Sequence, residues 1–275
     1  MPGAPDPAYV AARRVLLDAL EAVRDHLDAI VLVGAQAVYI HAGEADLAVA
    51  PYTTDGDLAI DPGRLGPKPL LEKALSDAGF ALERGVVGIW QRSVEVRGTL
   101  RTVGVDLLVP DSLGGAGRRG ARIPPHGKQV ARKVVGLEAT LVDNDRKEIS
   151  AFEPSDERRF DIAVAGPAGL LVAKVHKILD RVESPDRLSD KDALDVYRLL
   201  RVVPTEELVR RFRIVQTNAL CREVTGSAVD QMPSLFDSPR APGCAMAVRA
   251  AGPLEDADIL AASLVALAED LLAAL

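Results

Sequence analysis

Three aspartates stand at positions where their side chains can hold a cation. Asp55 and Asp57 are two residues apart in residues 52–60, a segment that predicts a β-strand. Side chains two apart on a strand point to one face, and two adjacent carboxylates repel each other unless a cation lies between them. Magnesium, a hard ion that prefers oxygen ligands, is the natural candidate. A solvated turn around Gly56 is the alternative explanation of the pair.

A third aspartate lies in an apolar segment further along the chain. Residues 100–110, LRTVGVDLLVP, predict another strand, in which Asp106 stands among valines and leucines. An aspartate in such surroundings costs free energy unless it is paired or coordinated. We therefore expect Asp106 to join Asp55 and Asp57 in one metal–phosphate site.

A helix led by a glycine precedes the aspartate pair. Residues 30–33, IVLV, predict one buried strand, Gly34 follows, and residues 35–41 favour a helix. This order places the N–H groups of a helix start where they can bind an anion such as phosphate. A strand–glycine–helix turn also occurs in α/β proteins without any ligand, and the aspartates downstream favour the phosphate interpretation.

The elements that must position these residues are strands and helices in the first part of the chain. Residues 8–29 carry an apolar stripe that predicts a helix packed on the sheet. Further strands are predicted at residues 80–83, 88–96, 136–142, 147–152 and 160–164. Later segments predict helices at residues 167–182, 189–201 and 204–218, a loop at 233–243 and a last helix from 256. The predicted fold is α/β (α+β), with a mixed twisted sheet in residues 1–165 and a helical C-terminal domain in residues 166–275.

The composition restricts the class of protein. An apolar fraction of 48% is enough for a core, and an aromatic fraction of 4% argues against platforms that stack bases. The net charge of −7 disfavours a protein that coats nucleic acid, and no DNA binding is expected. Two cysteines are too few for a Cys-based zinc site. No signal-peptide pattern or membrane-spanning run is found, so we expect a soluble cytoplasmic protein without membrane contact.

One segment departs from the acidic composition. Residues 114–133 contain no acid and six cations, namely Arg118, Arg119, Arg122, Lys128, Arg132 and Lys133. Their local positive field can receive the phosphates of a large substrate, and the first four are candidate RNA-binding residues. A flexible, solvated loop also explains this composition.

The combined pattern resembles the nucleotidyltransferase fold, and more narrowly the AbiEii/MenT group of bacterial proteins, many of which are toxins of toxin–antitoxin pairs. That fold has a Gly-Gly or Gly-Ser at a helix start, an Asp-x-Asp strand and a third acid on a neighbouring strand. Residues 53–57, TTDGD, match the Thr-x-Asp-x-Asp strand of the group. Lys174 and residues 191–195, KDALD, match its helical lysine and its Lys-Asp-x-x-Asp motif. The resemblance covers about residues 31–200.

The resemblance implies magnesium-dependent transfer of a nucleoside monophosphate from an NTP to an acceptor hydroxyl. The catalytic residues it implies are Asp55, Asp57, Asp106 and Lys174. The three aspartates would hold two magnesium ions, as in other two-metal sites. The NTP-binding residues it implies are Gly34, Ala35, Thr54, Lys174, Lys191 and Asp192.

The lysines of these motifs are expected to bind the triphosphate of the NTP. Facing a triphosphate, Lys174 would contribute to NTP affinity, and its replacement by alanine would leave the melting temperature nearly unchanged. A structural alternative stays open for the other motif residues. Ser189 and Asp192 have the spacing of a capping box, and a surface ion pair would explain Lys191 and Asp195.

The resemblance also bears on partners. The expected acceptor is RNA, above all tRNA, with an antitoxin as a possible partner, since several proteins of the group modify tRNA. Two alternatives stay open. One is a nucleotidyltransferase that acts on a small antibiotic-type molecule. The other is a non-catalytic nucleotide-binding protein, which Ala35 favours because the fold has a second glycine or a serine there.

Overall fold

The structure is a computed structural model that describes residues 5–43, 53–183 and 190–275. The chain has a mixed α/β fold, with an open mixed sheet and a set of C-terminal helices. The contacts divide the chain into two compact units. Among the described residues, the first unit comprises 5–36, 53–134 and 144–164, and the second comprises 37–43, 135–143, 165–183 and 190–275.

The first unit is built on the sheet. Its elements in chain order are α1 (Pro7–Ala22), a 3₁₀ turn (Arg24–Ala29), β1 (Ile30–Val33), the start of α2 (Gly34–Ala42), β2 (Asp55–Ile60), α3 (Leu71–Asp77), β3 (Ala81–Leu82), β4 (Ile89–Val96), β5 (Thr99–Pro110), β6 (Arg132–Val134), β7 (Asn144–Ser150) and β8 (Arg159–Ala165). Within the described ranges the strands lie in the order β3-β4-β5-β2-β1-β8-β7, and β6 pairs with β5.

The central strands of the sheet are β5, β2 and β1. Strand β1 runs antiparallel to β2, with Val33 opposite Asp57. Strand β2 runs parallel to β5, with Asp57 opposite Asp106. All four residues of β1 are buried, as expected for a short apolar run in the middle of a sheet. Two segments distant in the sequence are thereby brought side by side at the aspartates.

Helix α1 covers one face of these central strands. Asp6 caps the helix by accepting the N–H of Ala8 at 2.7 Å, as a good N-cap residue does. Leu16 of α1 is fully buried and lies close to Gly56 of β2. The predicted helix over residues 8–29 ends earlier, at Ala22. It gives way to a 3₁₀ turn, in which His26 Nε2 donates to the carbonyl of Pro69 at 2.8 Å.

The second unit is helical. Beyond the rest of α2, its elements are α4 (Glu138–Val142), α5 (Pro167–Val182), α6 (Lys191–Val202), α7 (Thr205–Thr217), α8 (Arg222–Phe236), α9 (Pro242–Ala251) and α10 (Ala257–Ala274). None of the described helices is long and apolar enough to cross a membrane.

Two predictions for this unit are wrong. The strand predicted at residues 136–142 is instead the short helix α4, and β7 begins at Asn144, so the predicted hairpin turn at residues 143–145 is absent. A short apolar run has no period that separates strand from helix. The loop predicted at residues 233–243 is shorter in the structure, at residues 237–241, because α8 continues through Pro233 to Phe236 and α9 begins at Pro242. Burial of Phe236 outweighs the proline- and serine-rich composition there.

Candidate functional site

Gly34 lets the carboxylate of Asp57 lie directly against the main chain at the start of α2. Its φ of +69° is in the left-handed region that favours glycine. A Cβ atom built on Gly34 would be 1.9 Å from Asp57 Oδ2. The close approach follows from the register, because Val33 and Asp57 are partners on β1 and β2. Any side chain at position 34 would therefore displace the carboxylate.

The side chains of the three aspartates lie on one face of the sheet. Asp57 and Asp106 are register partners on parallel strands, and Asp55 is two residues from Asp57, so their side chains share a face. The opposite face of β2 is the one that packs on α1 through Gly56. Asp55 and Asp57 are half-buried, whereas Asp106 is buried. The fold thus groups the acids that the sequence singled out.

The carboxylates of Asp55 and Asp106 each accept a hydrogen bond from a neighbouring side chain. Thr53 Oγ1 donates to Asp55 Oδ1 at 2.6 Å, which orients that carboxylate. Arg132 Nη2 donates to Asp106 Oδ2. The buried aspartate in the apolar strand is therefore paired, and its partner is one of the six cations that the sequence assigned to a phosphate-binding segment. Thr54 and Ala35, two of the predicted NTP-binding residues, are exposed and half-buried, respectively.

Two of the three aspartates fit a magnesium ion that is bound together with phosphates. Among the described residues, no group of three His, Cys, Asp or Glu side chains is placed to hold a metal ion. Magnesium in nucleotide sites is commonly bound by one or two carboxylates together with substrate phosphates and water. Asp55 and Asp57 fit that role, whereas Asp106 is already neutralised by Arg132. The site suits a cation that arrives with phosphates, and a preformed three-carboxylate site is not seen in the described ranges.

A chain of hydrogen bonds supports the first residue of β2. Gln36 Nε2 donates to the main-chain oxygen of Asp55 at 2.9 Å, and Arg13 Nε donates to Gln36 Oε1 at 2.8 Å. The Arg13 guanidinium is buried, donates to Ser150 O at 3.0 Å and lies 4.6 Å from the ring centre of Phe152. Sequence reasoning missed this support. Its only signal was an arginine among the apolar residues of α1.

Lys174 lies inside the second unit. Its side chain is 6% exposed, and Nζ is 2.6 Å from Asp192 Oδ1 and 2.7 Å from Asp195 Oδ2. Helices α5 and α6 are joined by this pairing. Asp195 also accepts from Arg198 Nη1 at 3.2 Å, and the partly exposed Lys177 lies 3.1 Å from Asp192 Oδ1. The lysine expected to face a triphosphate is held between two buried carboxylates.

The ion pair shifts the pKa values of Lys174 and Asp192. Burial by itself would lower the pKa of Lys174, but attraction to Asp192 and Asp195 outweighs it and the net shift is upward. Burial would raise the pKa of Asp192, but Lys174 and Lys177 outweigh it and hold that pKa below its ordinary value. Both groups are therefore charged at neutral pH. The expectation that Lys174 can be replaced without loss of stability is incompatible with this burial.

The remaining motif residues lie at the start of α6. Lys191 is its first residue and is exposed. Its part in NTP binding stays a prediction. Ser189 of the suggested capping box lies outside the described residues. Asp192 serves as an ion-pair partner of Lys174, so a structural role explains its position without a cap.

The cationic segment is anchored rather than loose. Within residues 114–133, Arg122 N–H donates to Gly114 O at 2.9 Å and Ala121 N–H donates to Ala131 O at 2.9 Å. Trp90 Nε1 of β4 donates to Val130 O at 3.0 Å and ties the segment to the sheet. These contacts argue against the flexible-loop alternative.

The anchored segment divides its six cations into two sets. Lys133 Nζ is 3.1 Å from Asp111 Oδ1, and Arg132 is paired with Asp106. The exposed cations are Arg118, Arg119, Arg122 and Lys128. The segment therefore presents positive charge to solvent from a fixed main chain.

Comparison of the chain with protein families, with characterised proteins and with solved structures finds no match. The structure shows a mixed α/β fold in which the carboxylate of Asp57 lies against a glycine-led helix start, two residues along β2 from Asp55.

Proposed function

We propose that the protein transfers a nucleoside monophosphate from an NTP to an acceptor hydroxyl at the site formed by Gly34, Asp55 and Asp57. The observation that carries this proposal is the contact of the Asp57 carboxylate with the main chain of Gly34. A helix start attracts phosphate, whereas a carboxylate pair repels it. A phosphate chain that brings its own magnesium ion satisfies both, and an NTP is such a ligand.

Each part of the site has a role in this reaction. The N–H groups at the start of α2 bind the phosphates that leave. Asp55 and Asp57 would hold a magnesium ion, which would neutralise phosphate charge and lower the pKa of the attacking hydroxyl. Thr53 orients Asp55, and Gln36 fixes the main chain at that residue.

The transfer is a single displacement at phosphorus. The oxygen of the acceptor hydroxyl forms a bond to the α-phosphorus while the bond from that phosphorus to the bridging oxygen of the β-phosphate breaks. The hydroxyl proton passes to water and pyrophosphate leaves. Catalysis of such transfers depends on positioning and on charge neutralisation, which a carboxylate-bound cation beside a helix start can supply.

The proposed acceptor is RNA, with tRNA first. The support is the set of exposed cations Arg118, Arg119, Arg122 and Lys128 on an anchored segment of a chain whose net charge is −7. The exposed cations attract a polyanion at one place, whereas the net negative charge of the chain repels it elsewhere. This combination favours binding of RNA at one site over indiscriminate binding. The resemblance to the AbiEii/MenT group adds the proposal that the protein is a toxin with a cognate antitoxin.

Transfer is tested with NTPs that carry a label on the α-phosphate. We expect magnesium-dependent label on total RNA, concentrated in the tRNA fraction, for at least one of the four NTPs. Chelation of magnesium should remove it. Label on a small molecule alone would support the antibiotic-type alternative, and NTP binding without any transfer would support the non-catalytic alternative.

The RNA surface is tested by the salt dependence of binding. Each phosphate contact contributes about 0.7–0.9 to the slope of log affinity against log salt concentration. Replacing Arg118, Arg119 and Arg122 with alanine should therefore flatten this slope by about 2–3 while NTP binding is unchanged.

A matched control removes the same charge elsewhere. Arg213, Arg222 and Arg240 are exposed residues of the second unit, and their replacement by alanine should leave the slope nearly unchanged. Equal slopes for the two triple variants would contradict the assignment of RNA to the cationic segment.

A further inference from the structure

The third aspartate of the site is paired with an arginine instead of being open to a metal ion. Arg132 Nη2 donates to Asp106 Oδ2, and the Asp106 side chain is 10% exposed. Asp106 is the register partner of Asp57 on the neighbouring strand β2, and paired strands lie about 4.8 Å apart. The guanidinium therefore holds a positive charge where the expected two-metal site would have its second ion.

The strand register places the Arg132 side chain on the same face as the aspartates. Arg132 is the register partner of Leu108 on β5, and Leu108 is two residues from Asp106. Residues two apart on a strand, and partners on neighbouring strands, project to one face of the sheet. Asp57, Asp106 and Arg132 therefore lie in a row on the adjacent strands β2, β5 and β6. Gly34 lies beyond Asp57, at the other end of this row.

The Arg132 guanidinium has donors that Asp106 does not use. An arginine has five N–H groups in a planar fork, and Nε of Arg132 is buried without a hydrogen-bond partner among the described residues. The side chain is 33% exposed, so part of the fork is open to a second acceptor. Such a fork matches the oxygens of a phosphate group. Arg132 can therefore bind a phosphate while it stays paired with Asp106.

The order of these residues across the sheet decides which phosphate of an NTP meets Arg132. In the proposed reaction the leaving pyrophosphate lies at the start of α2, beside Gly34. The α-phosphate comes next along the row, past Asp57 and toward Asp106. Charge is spread over the equatorial oxygens of the phosphate that is transferred, and a fixed positive group beside those oxygens stabilises the transition state.

We propose that Arg132 takes the place of a second metal ion and binds the α-phosphate of the NTP during transfer. This inference rests on the proposed function and adds to it a catalytic residue and the use of one magnesium ion instead of two. Arginine neutralises phosphate charge in the same way in other phosphoryl transfers. Asp106 is then a positioning residue, which holds the guanidinium instead of a metal ion.

Arg132→Gln tests the charge. Transfer of α-phosphate label to total RNA at about 1 mM magnesium should fall by about a hundredfold or more, as when one stabilising donor is removed from other active sites. The carboxylate that Arg132 releases is then a ligand for magnesium. Raising magnesium to about 20 mM should therefore recover about tenfold of the lost transfer in this variant and leave the rate of the wild type nearly unchanged.

The melting temperature without nucleotide gives a readout that does not depend on activity. Arg132→Gln should melt about 5 °C or more below wild type, because the buried Asp106 loses its arginine. Magnesium should raise the melting temperature of this variant more than that of the wild type, because it can now bind Asp106. In Arg132→Gln/Asp106→Asn no charge is left unpaired by the change, so the extra response to magnesium should vanish. Transfer by this double variant should be low at both magnesium concentrations.

Lys133→Gln is the matched control. Lys133 is the next residue of β6 and projects to the opposite face, where its Nζ is 3.1 Å from Asp111 Oδ1. The substitution removes the same charge from the same strand. It should leave both the transfer rate and the magnesium response as in the wild type.

Three outcomes overturn the inference. The first is transfer by Arg132→Gln within about threefold of wild type at the lower magnesium concentration. The second is a loss of transfer that high magnesium does not improve, with a wild-type response of the melting temperature to magnesium. The third is an RNA-binding salt slope flattened by about 1 with unchanged magnesium dependence, since Arg132 would then belong to the RNA surface.

Two further outcomes are also decisive. If Arg132→Gln does not fold, the double variant with Asp106→Asn decides, because it carries no unpaired charge, and wild-type transfer by it contradicts the inference. A wild-type protein that transfers no label refutes the proposed function itself, and this inference falls with it. An active wild type with an equally active Arg132→Gln refutes this inference alone.

Discussion

Asp57→Asn abolishes magnesium-dependent NTP binding while the nucleotide-free protein stays folded at the temperature of the binding assay. Asparagine has nearly the same shape, so it fits against Gly34, where the space is closest. It removes a charged ligand of the cation, for which the loss in affinity is of the order of a hundredfold or more. Calorimetric titration with NTP and magnesium measures this loss.

A carboxylate on the same face of the sheet is the control for Asp57. Glu95 of β4 is exposed and opposite Leu100, away from Asp57. Glu95→Gln should bind NTP as the wild type does. An Asp57→Asn variant with wild-type magnesium and NTP affinity would show that the aspartate pair is structural. A strong loss of stability in that variant would mean that Asp57 holds the strand rather than a ligand.

Lys174→Met lowers the free energy of unfolding by about 3–5 kcal/mol, the usual result of removing one partner of a buried ion pair. Methionine retains the length of the side chain, so the loss comes from the charge. Asp192 and Asp195 would remain buried without the ammonium that lies 2.6 and 2.7 Å from them. Equilibrium unfolding in urea measures the effect.

Lys177 is the control that distinguishes the effect of removing a charge from the effect of removing a buried charge. Lys177 contacts the same carboxylate, at 3.1 Å from Asp192 Oδ1, but its side chain is 40% exposed. Lys177→Met should therefore cost no more than about 1 kcal/mol, as exposed pairs do. A Lys174→Met variant that keeps wild-type stability but loses NTP binding would restore the expectation of a triphosphate-facing lysine.

The same ion pair predicts how stability responds to acid. Burial opposes the shift, but the lysines hold the folded-state pKa of Asp192 below its ordinary 3.8. Such a group stabilises the fold above its ordinary pKa, and the contribution is lost as the pH falls below 3.8 and through the lower folded value. The raised pKa of Lys174 leaves that residue charged throughout this range. Lys174→Met/Asp192→Asn should lose less stability than wild type over that interval, and an equal loss would contradict the assignment.

Local pattern was enough to predict the central strands and the face that their aspartates share. The apolar run of β1 and the glycine after it predict a strand and a helix start from neighbouring residues alone, and both are present. The two-residue spacing of Asp55 and Asp57 places them on one face of any strand. The sequence also predicted that Asp106 would need a partner, because its own strand is apolar.

The identity of each partner was decided by tertiary structure. Asp106 is paired with Arg132, 26 residues away, because β6 lies beside β5. The resemblance placed Lys174 opposite a triphosphate, yet it is buried because α6 supplies two carboxylates from 18 and 21 residues further on. Gln36 and Arg13 are joined across 23 residues. The energy of a buried charge depends on the charges that surround it, and those surroundings exist only after distant segments have packed together.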